Sequence, residues 1–146
     1  MAKIKNVIGR QVFDSRGNPT VEAEIFLDDG SSASAISPSG ASTGAFEAHE
    51  LRDKEQNKFL GKSVNTAVQN INSKISNKLK DLDSNQQEHV DKFLIDLDGS
   101  ENKTNLGANA TLAVSLAYAK CSAISNKQSL YKNLSLIHIS EPTRPY

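Results

Sequence analysis

From Thr20 to Leu27, apolar Val21, Ala23, Ile25 and Leu27 alternate with Thr20, Glu22, Glu24 and Phe26. This is the two-residue period of a strand that buries one face. Asp29-Gly30 follows and predicts a tight hairpin, since Gly adopts positive φ at little cost, and Ser31 to Ile36 supplies the returning strand. Ile4 to Val12 is apolar but less regularly patterned. It is expected as the first strand of a three-stranded antiparallel meander whose last strand delivers the chain to Pro38.

The period then changes. Val64, Ala67, Val68, Ile71, Ile75 and Leu79 recur at three- and four-residue spacing, which predicts an amphipathic helix with its Asn, Lys and Gln residues on the other face. Ser84 followed by Gln87 reads as a capping box. Val90, Phe93, Leu94 and Leu97 then predict a shorter helix that ends at Asp98-Gly99. Asn109 to Ile124 is small or apolar nearly all round, which suits a helix buried between sheet and helices, and a brief fourth helix is expected from Ser129 to Leu134. Strands first and about four helices afterwards predict an α+β fold with the helices on one face of the sheet. No internal repeat is present.

Length changes the picture little: 146 residues suit one domain with a real core. The 17 Lys and Arg balance 17 Asp and Glu, so no basic field draws nucleic acid or anionic lipid. A single cysteine, Cys121, forms no internal disulfide. It falls in an apolar run, and so reads as an inert buried thiol in a reducing compartment. No leader-like apolar stretch opens the chain, and no run approaches the ~18 apolar residues that span a bilayer. A cytoplasmic protein without a membrane span is expected.

Candidate chemistry concentrates in Pro38-Ser39-Gly40-Ala41-Ser42-Thr43-Gly44-Ala45-Phe46-Glu47-Ala48-His49-Glu50-Leu51-Arg52-Asp53. Small residues from Ser39 to Gly44 let the backbone approach a charged ligand, although taken alone such a stretch reads as an ordinary solvated loop. The whole stretch resembles the mobile metal-binding loop of the enolases. Two further blocks carry the same resemblance. Phe13-Asp14-Ser15-Arg16-Gly17-Asn18-Pro19-Thr20-Val21-Glu22 is similar to the segment joining the first two strands of that family. Leu106-Gly107-Ala108-Asn109-Ala110, with Val114-Ser115-Leu116-Ala117, is similar to the helix beneath the sheet. The similarity runs from about Ile4 to about Leu134. Ser63, where Gly is frequent, and His49, at a commonly apolar position, are mild departures.

The resemblance implies an N-terminal cap domain over residues 1–133. It implies a parent lyase, phosphopyruvate hydratase, that dehydrates 2-phosphoglycerate to phosphoenolpyruvate in glycolysis with Mg2+. It also implies that Ser39, Gly40, Ala41, Ser42, Thr43 and Gly44 form a loop closing over substrate, with Ser42 a metal ligand through its hydroxyl and carbonyl oxygens. Oxygen donors suit this hard ion. The family's lysine base, glutamate acid and three metal-binding carboxylates belong to a barrel domain absent from these residues, so no catalytic residue is expected within this chain, which alone should be inactive. A homodimer is implied for the parent, with Arg10 and Glu22 at positions that make charged contacts between subunits; on sequence alone both are ordinary strand residues.

Glu47, Glu50, Arg52 and Asp53 form a charged cluster whose simpler reading is a set of ion pairs at the start of the helical half. His49 and His89 have no partners at metal spacing. Residues 134–146, Leu134-Ser135-Leu136-Ile137-His138-Ile139-Ser140-Glu141-Pro142-Thr143-Arg144 and beyond, resemble a translated sequencing adapter and are expected to be an artefactual or disordered tail. One alternative stays open, a non-catalytic interaction module with an enolase-like cap fold; against another acid-sugar dehydratase of the wider superfamily stands the resemblance at Ser39 to Asp53, which is specific to the enolases.

Overall fold

The computed structural model describes residues 2–39, 44–80, 82 and 86–137. Strands β1 (Ile4–Phe13), β2 (Pro19–Leu27) and β3 (Ser32–Ile36) form one antiparallel sheet in the order β1-β2-β3. Val21, Ala23, Ile25 and Leu27 are all buried, as the alternation in β2 predicts. Gly30 turns the chain at φ 90°, donating to the Leu27 carbonyl at 3.2 Å while Leu27 N–H reaches the Ser31 carbonyl at 2.8 Å.

The irregular pattern of β1 has two physical causes. A bulge between Ile4 and Asn6 shifts the register; one extra residue reverses side-chain parity, so Ile4 and Val7, three apart, are both buried. Gly9 then occupies a core-facing place without a side chain. A Cβ there would lie 2.9 Å from Ile71 Cβ, so its absence lets a helix come down onto the strand. The Asn72 amide closes that contact. Its Oδ1 accepts the Gly9 N–H at 2.8 Å and its Nδ2 donates to the Gly9 carbonyl at 3.1 Å.

That helix, α1, is continuous over 65–79: α-helical in Asn65–Asn70, π-helical in Ile71–Ile75 and α-helical again in Ser76–Leu79. Helices α2 (Gln87–Asp98), α3 (Ala108–Ser125) and α4 (Leu130–Ile137) follow. The α+β expectation holds. Helix α1 covers β1 and α3 covers β2 and β3, while α2 and α4 pack chiefly on α3, forming an outer layer. The core joins Val21, Ile25, Ile71, Leu79, Val114 and Tyr118. Cys121 is buried beside the Ile25 carbonyl, and burial pushes its thiol up to about 11, consistent with an inert role.

Three local expectations change. Gln87 is not the third residue of a capping box: Ser84, the expected cap, lies outside the described residues, while Gln87 opens α2 behind Gln86, and its Nε2 donates to Asp91 Oδ1 at 2.9 Å and to Ser115. Helix α4 runs past Leu134 to Ile137. Helix α3 is not buried all round, for Leu112, Leu116 and Ile124 remain exposed. Among the described residues, no helix is long and apolar enough to cross a membrane.

Candidate functional site

Pairing between β2 and β3 continues one residue past Ile36, because Ser37 N–H donates to the Val21 carbonyl at 2.8 Å and the Thr20 hydroxyl donates to the Ser37 carbonyl at 2.6 Å. Pro38, lacking an N–H, ends the ladder. Ser39 and Gly44 are the first and last residues of the expected loop; between them Gly40, Ala41, Ser42 and Thr43, including the expected metal ligand, lie outside the described residues. Beyond them, Glu47 N–H turns back to the Gly44 carbonyl at 3.3 Å.

From His49 to Asp53 the chain becomes a strap whose residues fasten different elements. His49 N–H donates to the Asn102 carbonyl at 2.7 Å, and its own carbonyl accepts from Ala108 N–H at the start of α3 at 2.8 Å. Leu51 is held at both backbone groups by the buried Asn109 amide: Oδ1 accepts its N–H and Nδ2 donates to its carbonyl, each at 3.1 Å. Arg52 Nη1 donates to the carbonyls of Pro19 (2.9 Å) and Lys62 (2.6 Å). Its Nη2 reaches Ser39 Oγ and Glu50 Oε2, both at 3.3 Å.

Asp53 caps α1 from outside the helix. Its N–H donates to the Ser63 carbonyl, and its carboxylate accepts Asn65 N–H and Thr66 N–H, both at 2.9 Å. No side chain of the N-cap residue itself, Val64, serves those donors, which an isolated helix end leaves unmet. Burial raises the Asp53 carboxyl, but bonds from Thr66, Asn65 and Ser63 outweigh it and hold the group below its ordinary value.

The ion-pair reading of the charged cluster is therefore half right. Glu50 and Arg52 pair, whereas Asp53 is a helix cap. Ser37, Pro38, Gly44, Glu50, Arg52 and Asn109 line one open groove beside the loop. Among the described residues, no group of three His, Cys, Asp or Glu side chains is placed to hold a metal. Glu50 and Asp53 are committed to Arg52 and α1. These residues do not make a magnesium site by themselves.

Arg10 and Glu22 are brought together, cross-strand partners in one sheet. Arg10 forks to Glu22 Oε1 at 3.1 Å and Glu24 Oε1 at 2.9 Å. The Glu24 bond, then Glu22, raises the Arg10 pKa against its partial burial.

Sequence reasoning missed what Gly107, Asn109 and Asp98 do. Gly107 has φ 93°, and a Cβ on it would stand 2.6 Å from both Leu51 Cβ and Asn109 Oδ1, so the strap crosses α3 only because Gly is there. Asp98, buried at the end of α2, accepts from Leu106 N–H at 2.7 Å, from Ser100 N–H at 3.0 Å and from the Ser100 hydroxyl. It thereby shapes the connection that presents Asn102 and Gly107. No spacing rule announces such contacts; in the sequence Gly107 and Asn109 stand out through the resemblance of 106–110 as a block, and Asp98 through the helix end at Asp98-Gly99.

The turn 14–18 has a similar explanation: Asp14 Oδ1 accepts Arg16 N–H at 2.8 Å and Asn18 N–H at 2.9 Å, with Gly17 at φ 76°. All three resembling blocks thus have physical roles around one sheet end. A family model described as "Enolase, N-terminal domain" matches residues 4–134, and the chain belongs to that family.

Proposed function

We propose that this chain is the cap domain of a phosphopyruvate hydratase, the lyase that dehydrates 2-phosphoglycerate to phosphoenolpyruvate in glycolysis. The observation that carries the reading is the strap 49–53. It fastens the far side of the Ser39–Gly44 loop to α1, α3 and β2, while Ser37 fastens the near side to the sheet. A rigid frame around a short run of small residues is what a closing loop requires.

On this reading Ser42 supplies oxygen to magnesium when the loop closes over the substrate phosphate. Bound there, the ion would stabilise the dianion that forms when the proton beside the carboxylate is removed. The base, the acid and the principal metal carboxylates come from a barrel domain beyond these residues, and the chain alone does not turn over substrate. A cytoplasmic homodimer is the accompanying expectation for the parent, with the Arg10 and Glu22 face as one candidate contact.

Reading the genomic locus across the codons for Tyr131 to Tyr146 and expressing the resulting frame tests this. A frame that continues into a barrel should give magnesium-dependent turnover of 2-phosphoglycerate, with Ser42→Ala raising the magnesium requirement. A frame that stops at Tyr146 would remove catalysis. The non-catalytic interaction module would then lead, supported by the exposed Phe59, whose ring meets Phe13 edge-on, and by the exposed Leu60.

A further inference from the structure

We propose that Arg52 is a positioning residue that fixes Ser39, and with it the place where the chain leaves the sheet. The proposal rests on the loop reading above. Sheet pairing ends at Ser37, and Pro38 contributes no N–H, so the ladder cannot hold the next residue. At Ser39 the fastening passes to a side chain: Arg52 Nη2 to Ser39 Oγ at 3.3 Å.

What makes this contact a reference point is the other half of the guanidinium. Nη1 is pinned by two backbone carbonyls, Pro19 at the first residue of β2 and Lys62 just before α1. Glu50 Oε2 completes the set from the strap itself. The Arg52 side chain is only 19% exposed, so the pair with Glu50 is partly shielded from water. Four acceptors from four chain segments thus converge on one rigid, planar group. A lysine ammonium has three donors on a single atom and cannot span them, so charge alone does not satisfy the geometry.

Backbone 15N order parameters of the labelled chain, without metal or substrate, test the proposal in the wild type and in Arg52→Lys, Arg52→Gln and Arg52→Ala. Ser39 should be nearly as ordered as Ile36 in the wild type, at ~0.85, and should drop below ~0.6 in all three variants. Val21 and Ile25 in β2 should not change. Millimolar guanidinium should restore order at Ser39 in Arg52→Ala and not in Arg52→Lys, a rescue that general stabilisation would not produce. Unchanged order at Ser39, or a loss spread evenly along β2, would overturn the proposal.

If the Arg52 variants do not fold, Ser39→Ala removes only the last contact. Lower order at residue 39 with an unchanged melting temperature supports the proposal, and unchanged order overturns it. Because no metal or substrate is present, failure here leaves the closing-loop reading intact, and failure of that reading leaves this result standing.

Discussion

Gly107 shows how a single residue decides whether two segments meet. Its φ of 93° is unfavourable for any side chain, and the strap residue Leu51 occupies the space a Cβ would take. Gly107→Ala should therefore cost on the order of 3 kcal/mol, combining backbone strain with overpacking, measured by urea unfolding; a change below a few tenths would show that the strap gives way freely. Two carboxylates make a separate prediction. Asp53 and Asp98 are both desolvated, which raises them. Bonds to Asp53 from Thr66, Asn65 and Ser63, and to Asp98 from Ser100 and Leu106, more than offset this, so both folded values are lowered. Lowered carboxyls contribute stability that is present above the unfolded value near 3.8 and is lost as pH falls through the folded values beneath it. Unfolding free energy should fall below about pH 4, and Asp53→Asn with Asp98→Asn should flatten that fall while lowering stability at pH 7. An unaltered pH profile in the double variant would refute the assignment.

At the scale of elements, the edge of β1 and the π-helical turn of α1 depend on one another. Asn72→Ala leaves the Gly9 N–H and carbonyl without their partner, at a cost of about 1–3 kcal/mol, and should accelerate amide exchange at Gly9 ahead of exchange at Ala23. Equal acceleration at both would mean the amide clamp is not local. The turn at 59–61 carries the opposite lesson: Phe59, Leu60 and Gly61 all have positive φ, at 49°, 54° and 81°. Leu60 is 78% exposed and so gains little from burial. Leu60→Gly should relieve left-handed strain and stabilise the chain by roughly 0.5–1 kcal/mol in thermal unfolding; destabilisation would contradict this. Periodicity made β2, α1 and α2 legible because each buries a regular stripe, while α3 was legible from residues that are small or apolar nearly all round. It could not reveal the bulge in β1, since one inserted residue breaks the period it relies on. Nor could it reveal the Asn72, Asn109 and Asp53 contacts, which join residues far apart in sequence. The charged cluster after the loop was visible as composition, but its division into one ion pair and one helix cap is a matter of where α1 begins in space.

For the molecule as a whole, exposed apolar residues matter. Leu112, Leu116 and Ile124 are exposed on α3, and Ile95 is exposed on α2. Apolar surface of this kind favours association or low stability in a chain that stands alone, so light scattering should show concentration-dependent self-association, diminished by Leu112→Lys with Leu116→Glu. A clean monomer with a sharp two-state melt would count against it. The family match extends over the sheet, the strap and all four helices up to residue 134, and the described residues on either side of 40–43 are fastened to the sheet and to α1 and α3. On the function proposed above, this chain holds a closing loop in place while the chemistry belongs to another domain. The most direct measurement is to incubate the purified 146-residue chain with 2-phosphoglycerate and magnesium and follow the ultraviolet absorbance of the enol ester. No turnover above the uncatalysed rate is predicted; turnover proportional to chain concentration would contradict the account.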